Sequence, residues 1–236
     1  MTSTITLQVK DAPAMNAYVA TPDGNGPFPA IMVFQEAYGV NHHIRNLTER
    51  IAAEGYIAIA PELFHRTAPP GFEAAYGDFG VVMAHFQAMT TENIVNDVAA
   101  THEWLLTQDK VQKDKVGCIG FCLGGRVSFI ANSTLPLAAS VSFYGGGMHL
   151  VADRAATLNA PQLLFWGGKD THITPEHIQA VTDALRSAGK DFINVEISYA
   201  EHGFFCDARP SYHPQAAKEA WGMVKEFFKN KLTGSN

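Results

Sequence analysis

Short runs of β-branched and aromatic residues alternate with longer amphipathic stretches along most of this chain. The run PAIMVFQE (Pro29–Glu36) is continuously apolar until its end, as expected for a strand buried on both faces. The stretch from Thr91 to Gln108 is typical of a helix, because Ile94, Val98 and Leu105 return to one face. This alternation predicts an α/β fold in which helices cover both faces of a mostly parallel sheet.

The remaining segments extend the same pattern. The chain shows no internal repeat, low-complexity tract or linker, so residues 1–236 are expected to form a single domain. Residues 66–80 are rich in Pro and Gly and are expected to cross the surface. Further strands are predicted over 5–10, 14–21, 56–63, 115–121, 138–144, 161–167 and 192–199, and further helices over 42–55, 123–133, 175–188 and 214–231.

Composition limits the binding partners and the cellular compartment that can be expected. The net charge is −6 and no run of Lys or Arg is present, which argues against nucleic acid or an anionic membrane as a partner. The first residues lack the basic and apolar regions of a signal peptide, and no apolar run reaches the length of a membrane span. Three cysteines, Cys118, Cys122 and Cys206, do not make an even disulfide set, so a reducing cytoplasm is expected.

The segment GCIGFCLGGR, from Gly117 to Arg126, runs from a predicted strand straight into a predicted helix. A nucleophile at such a turn has a positive φ and leaves no room for side chains two positions away, which Gly120 and Gly124 satisfy. Cys122 is therefore the predicted nucleophile, and the helix N-terminus behind it would stabilise a thiolate. The alternative is a core cysteine at a Gly-rich strand end, which is the interpretation given to Cys118.

An acid and a histidine follow this cysteine in the order expected for such a hydrolytic site. Asp170 comes just past the predicted strand PQLLFWG, and His202 just after the last predicted strand. Because the carboxyl ends of parallel strands share one sheet edge, both side chains are expected beside Cys122. Asp170 could orient the imidazole, and His202 could exchange protons with the thiol and the leaving group. Either residue alone could be an ordinary loop residue, but their common order favours a site.

The chain resembles the dienelactone hydrolases (carboxymethylenebutenolidases) of the α/β-hydrolase fold. The matching segments span most of the chain and are FQEAYGVNHHI, YIAIAPELFHR, GFCLGGR, FWGGKD and AEHGFFCDARPSYHPQAA. This resemblance implies a catalytic triad of Cys122, His202 and Asp170. It also implies that the backbone N–H groups of Ala37 and Leu123 form an oxyanion hole.

Glu36 ends an otherwise apolar strand, either at the sheet edge that carries Cys122 or as a strand-end carboxylate facing water. The resemblance implies that Glu36 contacts the thiol. There its negative charge would oppose thiolate formation and keep the resting cysteine neutral. The resemblance further implies that substrate binding moves Glu36 so that it takes the thiol proton.

Three residues are predicted to bind substrate, and two of them follow His202 in one loop. These two are Arg209 and Tyr212, and the third, Tyr144, ends a predicted strand. The resemblance implies arginines that hold a substrate carboxylate, a task to which a guanidinium fork is suited. Two alternatives stay open, namely that Arg209 ties down the loop and that Tyr144 is a core aromatic.

No metal or cofactor is predicted. His42 and His43 are adjacent and would point in different directions on a helix, and His172 and His177 lie five apart, which is poor ligand spacing. The glycines at 145–147 lack the G-x-G-x-x-G pattern of a nucleotide cradle and the acid that binds a ribose.

The predicted function is hydrolysis of a small activated ester or lactone through a thioester on Cys122. A thiolate is a strong nucleophile at neutral pH, and the enolate released from an enol lactone departs readily. One alternative is a general carboxylesterase or thioesterase with a different substrate. Another is a non-catalytic ligand-binding or redox-sensing protein on the same fold, with Cys206 as its candidate resolving cysteine. We expect a small-molecule partner and a monomer or small homo-oligomer.

Overall fold

The computed structural model describes residues 1–234, in which strands and helices alternate much as the sequence predicts. The strands are β1 (Thr2–Leu7), β2 (Met15–Ala20), β3 (Phe28–Phe34), β4 (Ile57–Pro61), β5 (Val111–Phe121), β6 (Ala139–Phe143), β7 (Gln162–Gly167) and β8 (Phe192–Ile197). The α-helices are α1 (His42–Ala53), α2 (Phe79–Gln87), α3 (Thr91–Thr107), α4 (Leu123–Thr134), α5 (Pro175–Ser187) and α6 (Pro214–Phe228). A 3₁₀-helical segment, Met148–Thr157, follows β6, and a π-helical turn, Lys229–Thr233, follows α6.

The strands of the described chain form one sheet in the order β1-β2-β4-β3-β5-β6-β7-β8. β2 pairs antiparallel with both β1 and β4, whereas the pairs from β3 to β8 are parallel. The predicted mostly parallel sheet is therefore confirmed. The carboxyl ends of β3, β5, β7 and β8 meet at one edge, and the segments that follow them carry Glu36, Cys122, Asp170 and His202.

Two apolar cores, one on each face, fix this edge in place. Neighbouring residues of β5 alternate between them, with Ile119 and Phe121 in one core and Val116 and Cys118 in the other. Helices α1 and α6 pack on the first core, and α3 and α4 contribute to the second. Cys118 is fully buried, in keeping with the packing role expected for it.

Several predicted boundaries are wrong for local reasons. The strand expected over 5–10 lies at Thr2–Leu7, because the chain turns at Asp11, whose φ is 54°, to bring Met15 opposite Leu7. Strand β5 begins at Val111 rather than at residue 115, because Val111 already pairs with β3. The polar residues 112–115 separate Val111 from the apolar run, so the sequence did not indicate this earlier start.

Helix α2 has no counterpart in the sequence analysis. It begins at the end of the segment expected to cross the surface, and Val82 is its one buried residue. A helix that buries one residue does not need an apolar face of helical periodicity. The spacing of apolar residues in the sequence therefore did not reveal it. None of the helices formed by residues 1–234 combines the length and the apolarity that a membrane crossing requires.

Candidate active site

The turn between β5 and α4 has the strained geometry expected of a nucleophile position. Cys122 has a φ of 54° and a ψ of −111°, a region that L-residues rarely occupy. A Cβ atom at Gly120 would overlap the carbonyl oxygen of Gly124, and one at Gly124 would overlap that of Phe34. Larger residues at either glycine would therefore push α4 away from the sheet.

Backbone hydrogen bonds hold this turn against the neighbouring strand end. The N–H of Cys122 donates to the carbonyl of Phe143 at 3.0 Å, and the carbonyl of Cys122 accepts from Gly125 at 3.0 Å and Gly146 at 3.2 Å. The cysteine side chain is partly exposed and lines a cavity. Cys122 is thus presented to a ligand by a fixed backbone.

Asp170 and His202 meet beside this cysteine. The Nδ1–H of His202 donates to Oδ2 of Asp170, with 2.7 Å between nitrogen and oxygen. The other oxygen, Oδ1, accepts from the backbone N–H groups of His172 at 2.7 Å and Ile173 at 3.1 Å. Burial raises the pKa of Asp170. The hydrogen bond and the positive charge of His202, together with the two backbone hydrogen bonds, outweigh burial and lower the pKa below its usual value.

The imidazole of His202 is biased toward its protonated form. Burial lowers the pKa of His202, but the negative charge of an ionised Cys122 and the hydrogen bond to Asp170 outweigh burial and raise the pKa to about 10. An imidazolium beside a thiolate is the charge arrangement that nucleophilic attack by sulfur requires.

A second ion pair lies on this edge of the sheet. Glu36 is fully buried, and its Oε1 accepts a hydrogen bond from Nη1 of Arg209 at 3.1 Å. Its Oε2 is buried without a hydrogen-bond partner among the described residues. Burial lowers the pKa of Arg209, but the charge of Glu36 outweighs it and raises the pKa, so this cation is permanent. The hydrogen bonds of residues 1–234 thus join Glu36 to Arg209 rather than to Cys122, and the implied contact with the thiol stays a prediction.

Gly203 brings Arg209 back toward Glu36. The glycine has a φ of 79°, and a Cβ atom there would overlap the guanidinium of Arg209. The arginine therefore crosses directly over the backbone of the His202 loop, which agrees with the loop-tying alternative. Sequence reasoning missed this pair, because nothing in the spacing of Glu36 and Arg209, 173 residues apart, points to a contact.

Gln35 is a further positioning residue that the sequence analysis passed over. Its side chain is buried, accepts from the N–H of Leu63 at 3.0 Å and donates to the carbonyl of Glu36 at 3.1 Å. It thereby fixes the loop that carries Glu36 and Ala37. A polar residue that ends an apolar strand was a usable signal, but only its neighbour Glu36 was singled out.

The two backbone groups predicted to form an oxyanion hole flank the cysteine. Leu123 is the first residue of α4, where an N–H has no partner within the helix. Ala37 lies in the loop after β3 and lines the same cavity as Cys122. Their assignment to an oxyanion stays a prediction.

A cavity of about 180 Å³ opens onto the cysteine. Cys122, His202 and Arg209 line it together with residues of α2. The described residues that line the cavity do not include Tyr144 or Tyr212. Tyr144 is fully buried with its ring centroid 5.0 Å from that of His202, and Tyr212 is partly exposed, so their binding role stays a prediction.

Two other features lie apart from this cavity. A larger cavity, of about 350 Å³, is lined by residues of α1 and α6, such as Ile51 and Trp221, and contains none of the predicted site residues. His43, Cys206 and Asp207 bring three possible metal ligands within 4.8 Å of one another. Burial and then the charge of Glu36 raise the pKa of Cys206 to about 12.

Comparisons with known proteins show the family to which the chain belongs. The model of the "Dienelactone hydrolase family" matches residues 15–232. A protein of Synechocystis sp. named "Putative carboxymethylenebutenolidase" is 36% identical over 225 residues, which cover 91% of both chains. The protein of the same name from Escherichia coli (strain K12) is 34% identical over 226 residues, covering 91% of this chain and 82% of its own.

A solved structure extends the match to three dimensions. The crystal structure of a protein named "Putative Dienelactone Hydrolase" from Klebsiella pneumoniae superposes with a TM-score of 0.86 at 31% identity, covering 97% of this chain and 98% of that one. The family model, the relatives and this superposition all span nearly the whole sheet and the edge that carries Cys122. The chain therefore belongs to the dienelactone hydrolase family and has the α/β-hydrolase fold.

Proposed function

We propose that this protein hydrolyses a small activated ester or lactone through a thioester intermediate on Cys122. The observation that carries the proposal is the 2.7 Å hydrogen bond between Asp170 and His202 beside a cysteine held at a φ of 54°. Membership of the dienelactone hydrolase family supports hydrolase chemistry, and the names of the relatives support a lactone as one substrate.

Each step of the reaction has a residue suited to it. The Cys122 thiolate attacks the carbonyl carbon, and the N–H groups of Ala37 and Leu123 stabilise the oxyanion. The C–O bond then breaks, and the leaving oxygen takes a proton from His202. His202 next takes a proton from water and the hydroxide attacks the thioester. The C–S bond breaks, and the departing sulfur takes back the proton that Glu36 had removed, so Glu36 is again ionised and His202 again protonated. Asp170 keeps the imidazole in the tautomer that this exchange needs.

Glu36 accepts the first proton transferred in this scheme, which is the proton of the Cys122 thiol. A substrate that displaces Glu36 from Arg209 would free its carboxylate to take the thiol proton. The unpartnered Oε2 supports this role, because an unsatisfied buried oxygen gains a hydrogen bond by moving toward a donor. Until substrate binds, the pair with Arg209 keeps Glu36 occupied.

The redox-sensing alternative is less well supported. A resolving cysteine must ionise to attack a sulfenic acid or a disulfide. Cys206 is fully buried, and its pKa of about 12 leaves little thiolate at neutral pH. A general carboxylesterase or thioesterase stays open, since it would use the same residues.

The test is a panel of p-nitrophenyl esters, thioesters and dienelactones, assayed with wild-type protein and three cysteine variants. We expect Cys122→Ala to abolish turnover, while Cys118→Ala and Cys206→Ala retain most of it. Mass spectrometry after a substrate quench should find the acyl adduct on Cys122. Full activity in Cys122→Ala would contradict the proposal.

A further inference from the structure

The cavity in front of Cys122 has two unlike sides. One set of lining residues comes from the segments that follow the strands and carries the polar groups described above, including Arg209. The other set, the α2 side, consists of Phe79, Val82, Met83 and Phe86. Nothing in the proposed reaction uses these four apolar side chains.

Charge is absent from the α2 side. The helix, FGVVMAHFQ, contains no Asp, Glu, Lys or Arg. Its one titratable residue, His85, hydrogen-bonds Oγ1 of Thr67 at 2.8 Å and packs against Phe72, with 4.6 Å between ring centroids. His85 does not line the cavity. The guanidinium of Arg126 lies near Phe86 but does not line the cavity. A charged group placed against the α2 side would therefore lose its hydration without meeting a charged side chain on that wall.

Aromatic rings dominate this side. Phe79 packs against Tyr38, with 5.7 Å between ring centroids, and both rings line the cavity. Phe86 makes a cation–π contact with Arg126, whose guanidinium lies 5.4 Å from the ring centroid. These three rings offer edges and faces to a further ring, which is the arrangement aromatic groups prefer.

The size of the cavity limits what can enter. Its volume is about 180 Å³, and an apolar cavity of about 150 Å³ takes up benzene in water. One six-membered ring, or an alkyl group of that bulk, is therefore the largest apolar group that the α2 side can enclose together with a reacting carbonyl.

We infer that the α2 side is an apolar subsite that binds an uncharged, ring-sized group of the substrate, and that Phe79, Met83 and Phe86 determine this specificity. The inference rests on the proposed function for its reaction, but the subsite itself is a property of binding. It places the ester or lactone carbonyl at Cys122 and the ring against α2. A carboxylate on the substrate would have to face the Arg209 side.

The test compares vinyl phenylacetate with vinyl acetate, two activated enol esters that differ in the ring alone. Met83 is 43% exposed and lines the cavity, whereas Val81 is 48% exposed on the same helix and does not, which makes it a matched control. We expect Met83→Asp to lower kcat/KM for vinyl phenylacetate by at least about tenfold, and that for vinyl acetate by less than about threefold. Val81→Asp should leave both values nearly unchanged. Equal effects of the two variants, or equal losses on both esters, would overturn the subsite.

Binding without chemistry separates this inference from the proposed function. The Met83 methyl resonance in Cys122→Ala would be followed by NMR during titration with N-methylphenylacetamide and with N-methylsuccinamate. We expect a saturable shift with the neutral ring compound and little shift with the carboxylate. If wild type turns over neither ester while this shift is present, the proposed function fails and the subsite stands. No shift with N-methylphenylacetamide, or an equal one with N-methylsuccinamate, overturns the subsite whatever the activity.

Discussion

Asp170 and Glu36 are two carboxylates on the same sheet edge, each paired with a nitrogen base, yet their surroundings differ. Asp170 uses both oxygens, one with His202 and the other with two backbone N–H groups. Glu36 uses one oxygen, with Arg209, and the second is buried without a partner among the described residues. A saturated carboxylate holds its partner in one orientation, whereas a half-satisfied one can exchange partners at lower cost.

The nitrogen partners of the two carboxylates also differ, in whether they can release a proton. His202 can release its proton during a reaction, but Arg209 stays charged. The Asp170 pair is therefore suited to repeated proton transfer, and the Glu36 pair to a change of contacts. If this division is correct, substitutions in the two pairs should fail in different ways.

The largest effect is expected from Asp170→Asn. The amide cannot hold the His202 tautomer that exchanges protons with the leaving group and with water, so kcat should fall by about 10⁴-fold while the fold is kept. Steady-state assays with an activated ester, together with circular dichroism, would measure this. Asp183→Asn, which alters an exposed ion pair with Arg186, is the control. A loss of only a few-fold would mean that another carboxylate orients His202.

The second effect should appear in stability rather than in chemistry. Arg209→Gln leaves Glu36 charged, buried and unpaired, which should lower the free energy of unfolding by about 3 kcal/mol. Adding Glu36→Gln removes the orphaned charge and should recover most of that loss. Urea denaturation of the single and double variants measures both. Equal stability of the two variants would show that Glu36 is not held by charge pairing.

A smaller effect is expected from Glu36→Gln on the reactivity of the cysteine. The change removes a negative charge near the site and leaves Arg209 without its counterion, and both favour the thiolate. Alkylation by iodoacetamide should speed up by roughly tenfold, equivalent to about 1.4 kcal/mol. Ester turnover should slow, since the proposed proton acceptor is gone. If alkylation is unchanged or slower, Glu36 does not hold the resting thiol neutral.

The smallest effect concerns the titration of His202. When Cys122 is ionised, its charge is the largest influence that raises the pKa of His202 to about 10. Cys122→Ser cannot supply that charge, so the highest pKa that the imidazole reaches should fall toward the ordinary value of 6.5. Because the folded pKa is raised, the stabilisation by the imidazolium is complete below pH 6.5 and is lost as pH rises through about 10. In Cys122→Ser that loss should occur at lower pH. NMR titration of the imidazole would detect the change, and an unaltered pKa would mean that Asp170 alone sets it.

The Asp170 side of the site was accessible from sequence because local rules govern it. Gly120 and Gly124 are required by the turn itself, and Asp170 and His202 follow strands whose ends must share an edge. The other side depends on tertiary contacts that leave no periodic trace. Arg209 reaches Glu36 only because a loop without secondary structure folds back over Gly203.

The α2 wall was inaccessible for a related reason. Sequence periodicity records how a helix packs on a core, and α2 buries only Val82. Its position depends on Tyr38, Tyr76 and Phe86, which form a small cluster apart from the two main cores. Short apolar runs of this kind give no signal that separates a cavity wall from a surface helix.

This loose attachment has a consequence for how such a protein can diversify. Substitutions at Phe79 or Met83, about half exposed, disturb neither the sheet nor the turn at Cys122, so they can accumulate with little loss of stability. Selection could then retune which compounds are accepted while the hydrolytic chemistry stays constant. A library randomised at these two positions should yield mostly folded proteins with divergent preferences, whereas one randomised at Gly120 and Gly124 should yield few folded proteins at all.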